Sequence, residues 1–304
     1  MSEISLHREL RDRGYSAPEL ARLVRSGELS RLRRGAYALP AADGDPVAAH
    51  KARLTAVIRQ VSDEAIVSHV SAAVLHGLPT WTDQLDLVHL TRDRSGGSKL
   101  RRDLRIHGLP IAPDEATRIG GFTVTSLART VVDLSCLDTL ERGVAIGDAA
   151  LRLGLRDHEL AAAVDAGTRR HGIGRARRVC ELADVRSESV GESFSRVRFW
   201  QWGLPAPVLQ LDVRDPRGVL VGRGDFGWPE FGTIGEFDGK VKYGALLKPG
   251  QSAQDVLLAE KRREERIREV GWQVVRWTWA DLRRGTDLAA RLQDAFRRGR
   301  DLSA

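Results

Sequence analysis

Two carboxylates separated by ten residues carry the chemistry most open to reading. Asp225 lies in Gly222-Arg-Gly-Asp-Phe-Gly-Trp228 and Glu236 in Ile234-Gly-Glu-Phe-Asp-Gly239, and Pro229-Glu-Phe-Gly between them reverses the chain. Two strands joined in this way can pair with their acids side by side. Glu236 and Asp238, two apart, fall on one strand face. Upstream, Glu188 and Glu192 are four apart, which places both on one helix face, able to lean over the same sheet end. Carboxylates that converge repel one another, and a hard divalent cation, Mg²⁺ or Mn²⁺, relieves the repulsion with oxygen ligands. Such a cation also polarises a phosphodiester and acidifies its bound water. Acids of this kind in isolation more often edge a sheet or pair with cations, so it is the ordered set that matters.

The basic residues are lopsided in a way that bears on this chemistry. Of the 48 basic positions only six are lysine, Lys51, Lys99, Lys240, Lys242, Lys248 and Lys261, and four of them fall between 240 and 261. Phosphodiester hydrolysis needs a cation to orient a water or offset developing charge. Lysine does this with a tunable pKa, whereas arginine stays protonated. Lys240, Lys242 and Lys261 therefore stand out near the acid pair in a chain that otherwise uses arginine.

The elements that must position these residues fall into three stretches. Residues 186–304 hold six of the seven tryptophans and read as helix 188–202, strands 208–213, 219–227 and 233–238, helix 252–270, strand 272–278 and helix 286–299. Asp215-Pro-Arg-Gly218 marks the first hairpin turn. Residues 1–42 read as helix, turn, helix and basic hairpin: Gly14 ends the first helix, Ser16 caps the second, and Arg34-Gly35 turns the strand pair. Residues 45–185 alternate strands with Ala/Leu-rich helices, at about 47–61, 71–77, 127–134, 139–153 and 157–166. The whole is expected to be an α+β multidomain protein.

These residues also carry resemblances. The Glu-bearing helix, Asp225, Glu236, Glu260-Lys-Arg-Arg-Glu264 and Val274-Val-Arg-Trp-Thr-Trp279 resemble the PD-(D/E)xK restriction-endonuclease-like fold, in the branch of DUF559 and very-short-patch repair domains. The resemblance implies a C-terminal α/β/α nuclease domain with Asp225 and Glu236 as metal ligands and Glu192 as the helical acid. It departs at Asp238, where the motif has lysine. The cationic role would pass to Lys242, Lys240 or Lys261. Leu32-Arg-Arg-Gly-Ala-Tyr-Ala-Leu39, with Ser68-His-Val-Ser-Ala-Ala-Val-Leu-His-Gly77 and Thr125-Ser-Leu-Ala-Arg-Thr-Val-Val-Asp133, resembles AbiEi-type antitoxins. These are DNA-binding, autorepressing halves of type IV toxin–antitoxin pairs. That resemblance implies an N-terminal winged helix-turn-helix, with Arg22 and Arg25 on the recognition helix and Arg31, Arg33 and Arg34 on the wing.

Composition narrows the partners. The net charge of +7 permits a polyanion, although the N-terminal unit has eight arginines against five acids and rests on arrangement more than on charge. No apolar run approaches a membrane span, the start lacks a leader-like layout, and two cysteines build no disulfide framework. A cytoplasmic chain acting on DNA is expected, with a cognate toxin as a further partner and the oligomeric state left open. The tryptophans at 272, 277 and 279 read as core and rim packing, Cys136 as a small buried hydrophobe, and 171–178 as an interdomain joint. His69 and His76, seven apart without a third ligand in view, read as helix surface or core and not as metal ligands. Two functions remain: a Mg²⁺-dependent DNA endonuclease, or a repressor or antitoxin with a catalytically worn nuclease module. Asp238 favours the second, and the intact Asp225, Glu236 and lysine cluster favour the first.

Overall fold

Short-range caps set the N-terminal elements. In the computed structural model, which describes residues 4–40, 44–61, 65–93, 97–239 and 253–301, strand β1 (Ser5–Leu6) leads into α1 (His7–Asp12) and α2 (Ala17–Arg25). Ser16 and Glu19 cap α2 reciprocally, Ser16 Oγ accepting from the Glu19 N–H at 3.3 Å and Glu19 accepting from the Ser16 N–H at 2.9 Å. Strands β2 (Ser30–Arg33) and β3 (Ala36–Ala38) turn at Gly35, whose φ of +78° suits glycine. The three strands form an antiparallel sheet in the order β1-β3-β2. Ile4, Leu6, Ala36 and Ala38 close over Ala56 of the next helix, α3 (Pro46–Ile58).

A six-stranded mixed sheet follows, built from β4 (Ile66–Val67), β5 (Val88–Arg92), β6 (Lys99–Arg101), β7 (Leu104–Gly108), β8 (Ala116–Ile119) and β9 (Phe122–Thr125), in the order β6-β7-β5-β4-β9-β8. Helix α4 (His69–His76) ends at left-handed Gly77, and α5 (Leu127–Leu137) begins at Ser126, whose Oγ accepts from the Arg129 N–H. Leu54, Val67, Val88, Leu90, Leu104, Ile106 and Val124 are the buried apolar side chains of this sheet and its helices.

The remaining elements are α6 (Leu140–Arg152), α7 (Asp157–Ala166), α8 (Ile173–Leu182), α9 (Val190–Gln201), β10 (Val208–Arg214), β11 (Leu220–Trp228), β12 (Thr233–Phe237), α10 (Ala253–Glu269), β13 (Gln273–Trp277), α11 (Trp279–Arg284) and α12 (Thr286–Asp301). The chain divides into two compact units, 1–138 with 153–177 and 139–152 with 178–304. Helix α6, placed in the middle stretch by sequence, thus belongs to the second unit. Its buried Asp148 accepts from Ser193 Oγ at 2.7 Å and Arg196 at 2.9 Å on α9, and Gly147 admits Val179 and Ala183 of the 178–183 segment. A crossing between the units falls at Arg177/Arg178, within the expected joint at 171–178. The segment is helical there, most of it opening α8, and Arg175 donates to the Cys136 and Asp138 carbonyls at the end of α5.

In the second unit the sheet order is β10-β11-β12-β13, with the first two pairings antiparallel and β12–β13 parallel. Helix α10 makes the crossover that a parallel pair requires. Phe199, Phe226, Trp228, Phe231, Trp277 and Phe296 pack edge-on and stacked in its core. The indole N–H groups stay satisfied, Trp277 donating to Ser195 Oγ and Trp228 to the Pro205 carbonyl, both at 2.8 Å. Gly191 at the start of α9 lets the ring of Phe237 come so close that a Cβ there would lie 1.9 Å from it.

That close approach makes a stability prediction. Gly191→Ala should lower the unfolding free energy by about 1–3 kcal/mol through overpacking. Gly174→Ala on α8, where an added Cβ meets nothing within 4 Å, should be neutral or stabilising. Urea unfolding followed by tryptophan fluorescence compares the two, and equal midpoints would refute the assigned α9–Phe237 contact.

Candidate functional site

The register that pairs Phe226 with Gly235 brings Asp225 and Glu236 to the next opposed position of β11 and β12. Residues directly opposite in an antiparallel pair share a face. Asp225 is half-buried, and its Oδ2 accepts from the Phe237 N–H at 2.8 Å. Burial raises its pKa, the Phe237 N–H pulls it back, and the charges of Glu192 and Glu236 raise it again, to about 6. Glu192, Asp225 and Glu236 therefore share one electrostatic neighbourhood.

Each of the other two acids is already engaged. Glu192 completes the cap of α9: it accepts from the Glu188 N–H at 2.8 Å, Ser189 Oγ at 2.7 Å and Gln210 Nε2 at 2.9 Å. Gln210 holds a left-handed backbone (φ +54°) on β10 while also accepting from Arg223 at 2.8 Å. Glu236 is buried between two guanidiniums, Arg276 at 2.7 Å from Oε2 and Arg263 at 2.8 Å from Oε1, both ion pairs without hydrogen-bond alignment. Arg276 reaches on to Glu260 and Glu264, each at 3.1 Å.

The cations differ from the expected ones. Lys261 points away, 4.0 Å from Glu265 and largely exposed, because helical spacing turns Arg263 to the sheet in its place. Lys240 and Lys242 lie outside the described residues. Asp238 is half-buried, its N–H donating to the Trp277 carbonyl at 2.7 Å and so continuing the sheet. Gln210, Arg263 and Arg276 were missed from sequence. The only signal for Arg276 was its place in Val274-Val-Arg-Trp-Thr-Trp279 on a strand beside Glu236.

In the first unit, Arg22 and Arg25 on α2 and Arg31 and Arg34 on the hairpin are exposed, with Arg22 3.5 Å from Glu28. Arg33 departs from its expected place on the wing surface. It turns inward to Asp103, 2.9 Å away, and is only 14% exposed.

The histidine reading also changes. His76 bonds the Thr125 carbonyl at 2.9 Å. His69, with the unusual φ of +51°, meets two imidazoles distant in sequence: His107 stacked at 3.7 Å between ring centres, and His89 at 5.6 Å. Burial depresses all three, His89 to about 2, His107 to about 4 and His69 well below the usual range. All are neutral at neutral pH. Beside them Asp133 and Glu115 are tied to Arg129 and Arg170, with Arg129–Asp133 and Arg129–Glu115 both at 2.7 Å.

Comparison with known proteins adds three findings. Residues 8–40 match a family described as a transcriptional regulator, AbiEi antitoxin. The chain is 29% identical over 279 residues to an uncharacterized Mycobacterium tuberculosis protein, Rv2248 in strain ATCC 25618 / H37Rv and MT2308 in strain CDC 1551 / Oshkosh, covering 91% of this chain and 96% of that one. The crystal structure of the RV2827C protein from the same species aligns at a TM-score of 0.40 and 14% identity, over 71% of this chain and 85% of that one. No described helix is long and apolar enough to cross a membrane.

The raised pKa of Asp225 has a definite sign. Between pH 3.8, its unshifted value, and about 6 the folded chain holds more protons at this group than the unfolded chain, so stability falls as pH rises through that window. Asp225→Asn removes the dependence. Its unfolding midpoint in urea should therefore gain on the parent protein from pH 4 to pH 7.5, and a difference that is the same at both pH values would disprove the burial assigned to this carboxyl.

Proposed function

We propose that this chain is a DNA-binding transcriptional regulator of the AbiEi-antitoxin kind, with a C-terminal module like the restriction endonucleases. The observation that carries this is the match of residues 8–40 to that family, over a helix, turn, helix and hairpin that leave Arg22, Arg25, Arg31 and Arg34 exposed. Helix α2, capped at Ser16, would enter a groove. The arginines would meet phosphates or base edges, fixing register and supplying most of the affinity. A toxin protein is the partner the family likeness brings with it.

A second reading, a divalent-metal-dependent DNA endonuclease, is favoured by one further observation: Glu192, Asp225 and Glu236 converge where the α-β-β-β-α-β order of the second unit resembles the nuclease core. The donors are hard oxygens, the right type for Mg²⁺ or Mn²⁺, and no partner claims Asp225 Oδ1 among the described residues. Glu236, however, would have to exchange a guanidinium for the ion. When bound, the ion would polarise the phosphodiester and activate water. Asp225 and Glu236 would hold it, Glu192 would orient its surroundings, and Lys242 would orient the water. Because the guanidiniums already neutralise Glu236, the regulator reading comes first.

Fluorescence anisotropy with a duplex taken from upstream of its own gene tests the first reading. Affinity should fall steeply with salt, and Arg22→Ala with Arg25→Ala should reduce the logarithmic salt slope by about 0.9 per lost phosphate contact. Arg33→Ala should leave the slope unchanged and lower stability. A flat salt response would overturn the proposal. Supercoiled plasmid with Mg²⁺ or Mn²⁺ tests the second. Nicking lost in Asp225→Ala and Glu236→Ala supports it, whereas duplex binding without nicking removes it.

A further inference from the structure

We propose that His69, His89 and His107 form a binding site for a divalent transition metal of the Zn²⁺ class, open on its fourth side to a cavity. Among the described residues these three are the one group of His, Cys, Asp or Glu side chains whose ligand atoms all lie within 4.8 Å of one another. They come from three elements. The parallel register of β5 and β7 sets Thr91 opposite His107, so His89, two residues back, projects from the same sheet face as a diagonal neighbour. His69 is the first residue of α4, and its left-handed backbone carries a cost that ordinary helix entry does not require. That conformation lays its ring on His107.

The nitrogens are arranged as ligands would be. His89 Nδ1 and His107 Nε2 face each other at 3.1 Å, one ring nitrogen donating its proton to the lone pair of the other. A cation there satisfies both. His69 Nδ1 is occupied by Ser68 Oγ at 2.9 Å, which leaves Nε2 without a partner among the described residues. Imidazole coordinates through its in-plane lone pair, so the His69 ring, stacked on His107 at 3.7 Å, must turn off that face for the three nitrogens to converge at the roughly 2.0–2.1 Å bonds of zinc–imidazole.

Two independent features point to an occupant. Asp133, whose side chain is 1% exposed, holds Oδ1 on Arg129 and Arg170 but leaves Oδ2 without a hydrogen bond, 4.0 Å from His69 Nδ1. A carboxylate behind a ligating imidazole is the usual means of fixing its orientation. In addition, His69 and His107 line a cavity of about 810 Å³ whose lining also includes Arg169, Arg170 and His171. Three protein ligands with a fourth position facing a cavity of ligand-binding size is the arrangement of a reactive or ligand-exchanging zinc site, not of a closed structural one. The lining also holds Asp114, Glu115 and Asp133, two of which pair with Arg170, so a water suits that position. Three imidazoles select nitrogen-preferring ions and disfavour Mg²⁺, which separates this site from the acids of the second unit.

The test uses the full chain, stripped with chelator and titrated with Co²⁺ as a spectroscopic stand-in for Zn²⁺, in an Asp225→Ala/Glu236→Ala background that removes the acidic cluster. One equivalent should bind, with the strong visible absorption of a four-coordinate, nitrogen-ligated ion, and Zn²⁺ should displace it. His89→Gln and His107→Gln should weaken binding at least 10-fold while far-UV circular dichroism is unchanged. X-ray absorption at the zinc edge of the wild-type chain needs no histidine variant: imidazole scattering from three ligands supports the site. Absence of the Co²⁺ bands, fewer than two imidazole scatterers, or binding that survives both histidine substitutions overturns it.

Discussion

A carboxylate cannot be closed into a sheet beside two others without positive charge at hydrogen-bond range. Glu236 is buried and faces Asp225 across β11 and β12, and Asp225 also feels the charge of Glu192 on α9. Leaving one buried charge unpaired costs several kcal/mol. Arg263 from α10 and Arg276 from β13 supply the countercharge at 2.8 and 2.7 Å. The crossover helix and the parallel strand are thereby tied to the hairpin through one side chain, and the arrangement of the unit's acidic face depends on that tie.

The first unit solves the same problem with the same chemistry. Arg129, fully buried, bridges Asp133 and Glu115, and Arg170 repeats both contacts from the other side. Planar guanidiniums suit this task because each offers several donors in a fixed fork. The network leaves one Asp133 oxygen turned to His69, so the charge balance of the unit and the histidine cluster share a carboxylate. An arginine-rich chain is thus explained in part by its buried acids and not only by a polyanionic partner.

This division of labour bears on the two functional readings. In the C-terminal unit Glu236 is paired with Arg263 and Arg276, and Lys261 faces Glu265. In the N-terminal stretch Arg22, Arg25, Arg31 and Arg34 stay exposed, Arg22 with Glu28 3.5 Å away. These arginines thus stay at the surface while Glu236 is neutralised within the fold, which is the physical reason the regulator reading is proposed ahead of the nuclease one.

Local signals were legible in the chain itself. Gly14, Ser16 with Glu19, Gly35, Gly77 and Asp215-Pro-Arg-Gly218 act within a few residues, so the N-terminal elements and the helix–hairpin–strand order of the second unit could be read, as could the pairing of Asp225 with Glu236 across a short turn. What lay beyond reach depended on partners far apart in sequence. Arg33 turns to Asp103 seventy positions away, α6 joins the second unit through Asp148 and Arg196, and Arg276 reaches Glu236 only because β13 lies parallel beside β12. The histidines show the limit most plainly. His69, His89 and His107 carry no periodic signature, because two stand on neighbouring parallel strands and one at a helix start. Such strands are joined by crossovers whose length sequence spacing does not encode, so only the folded sheet brings the three rings together.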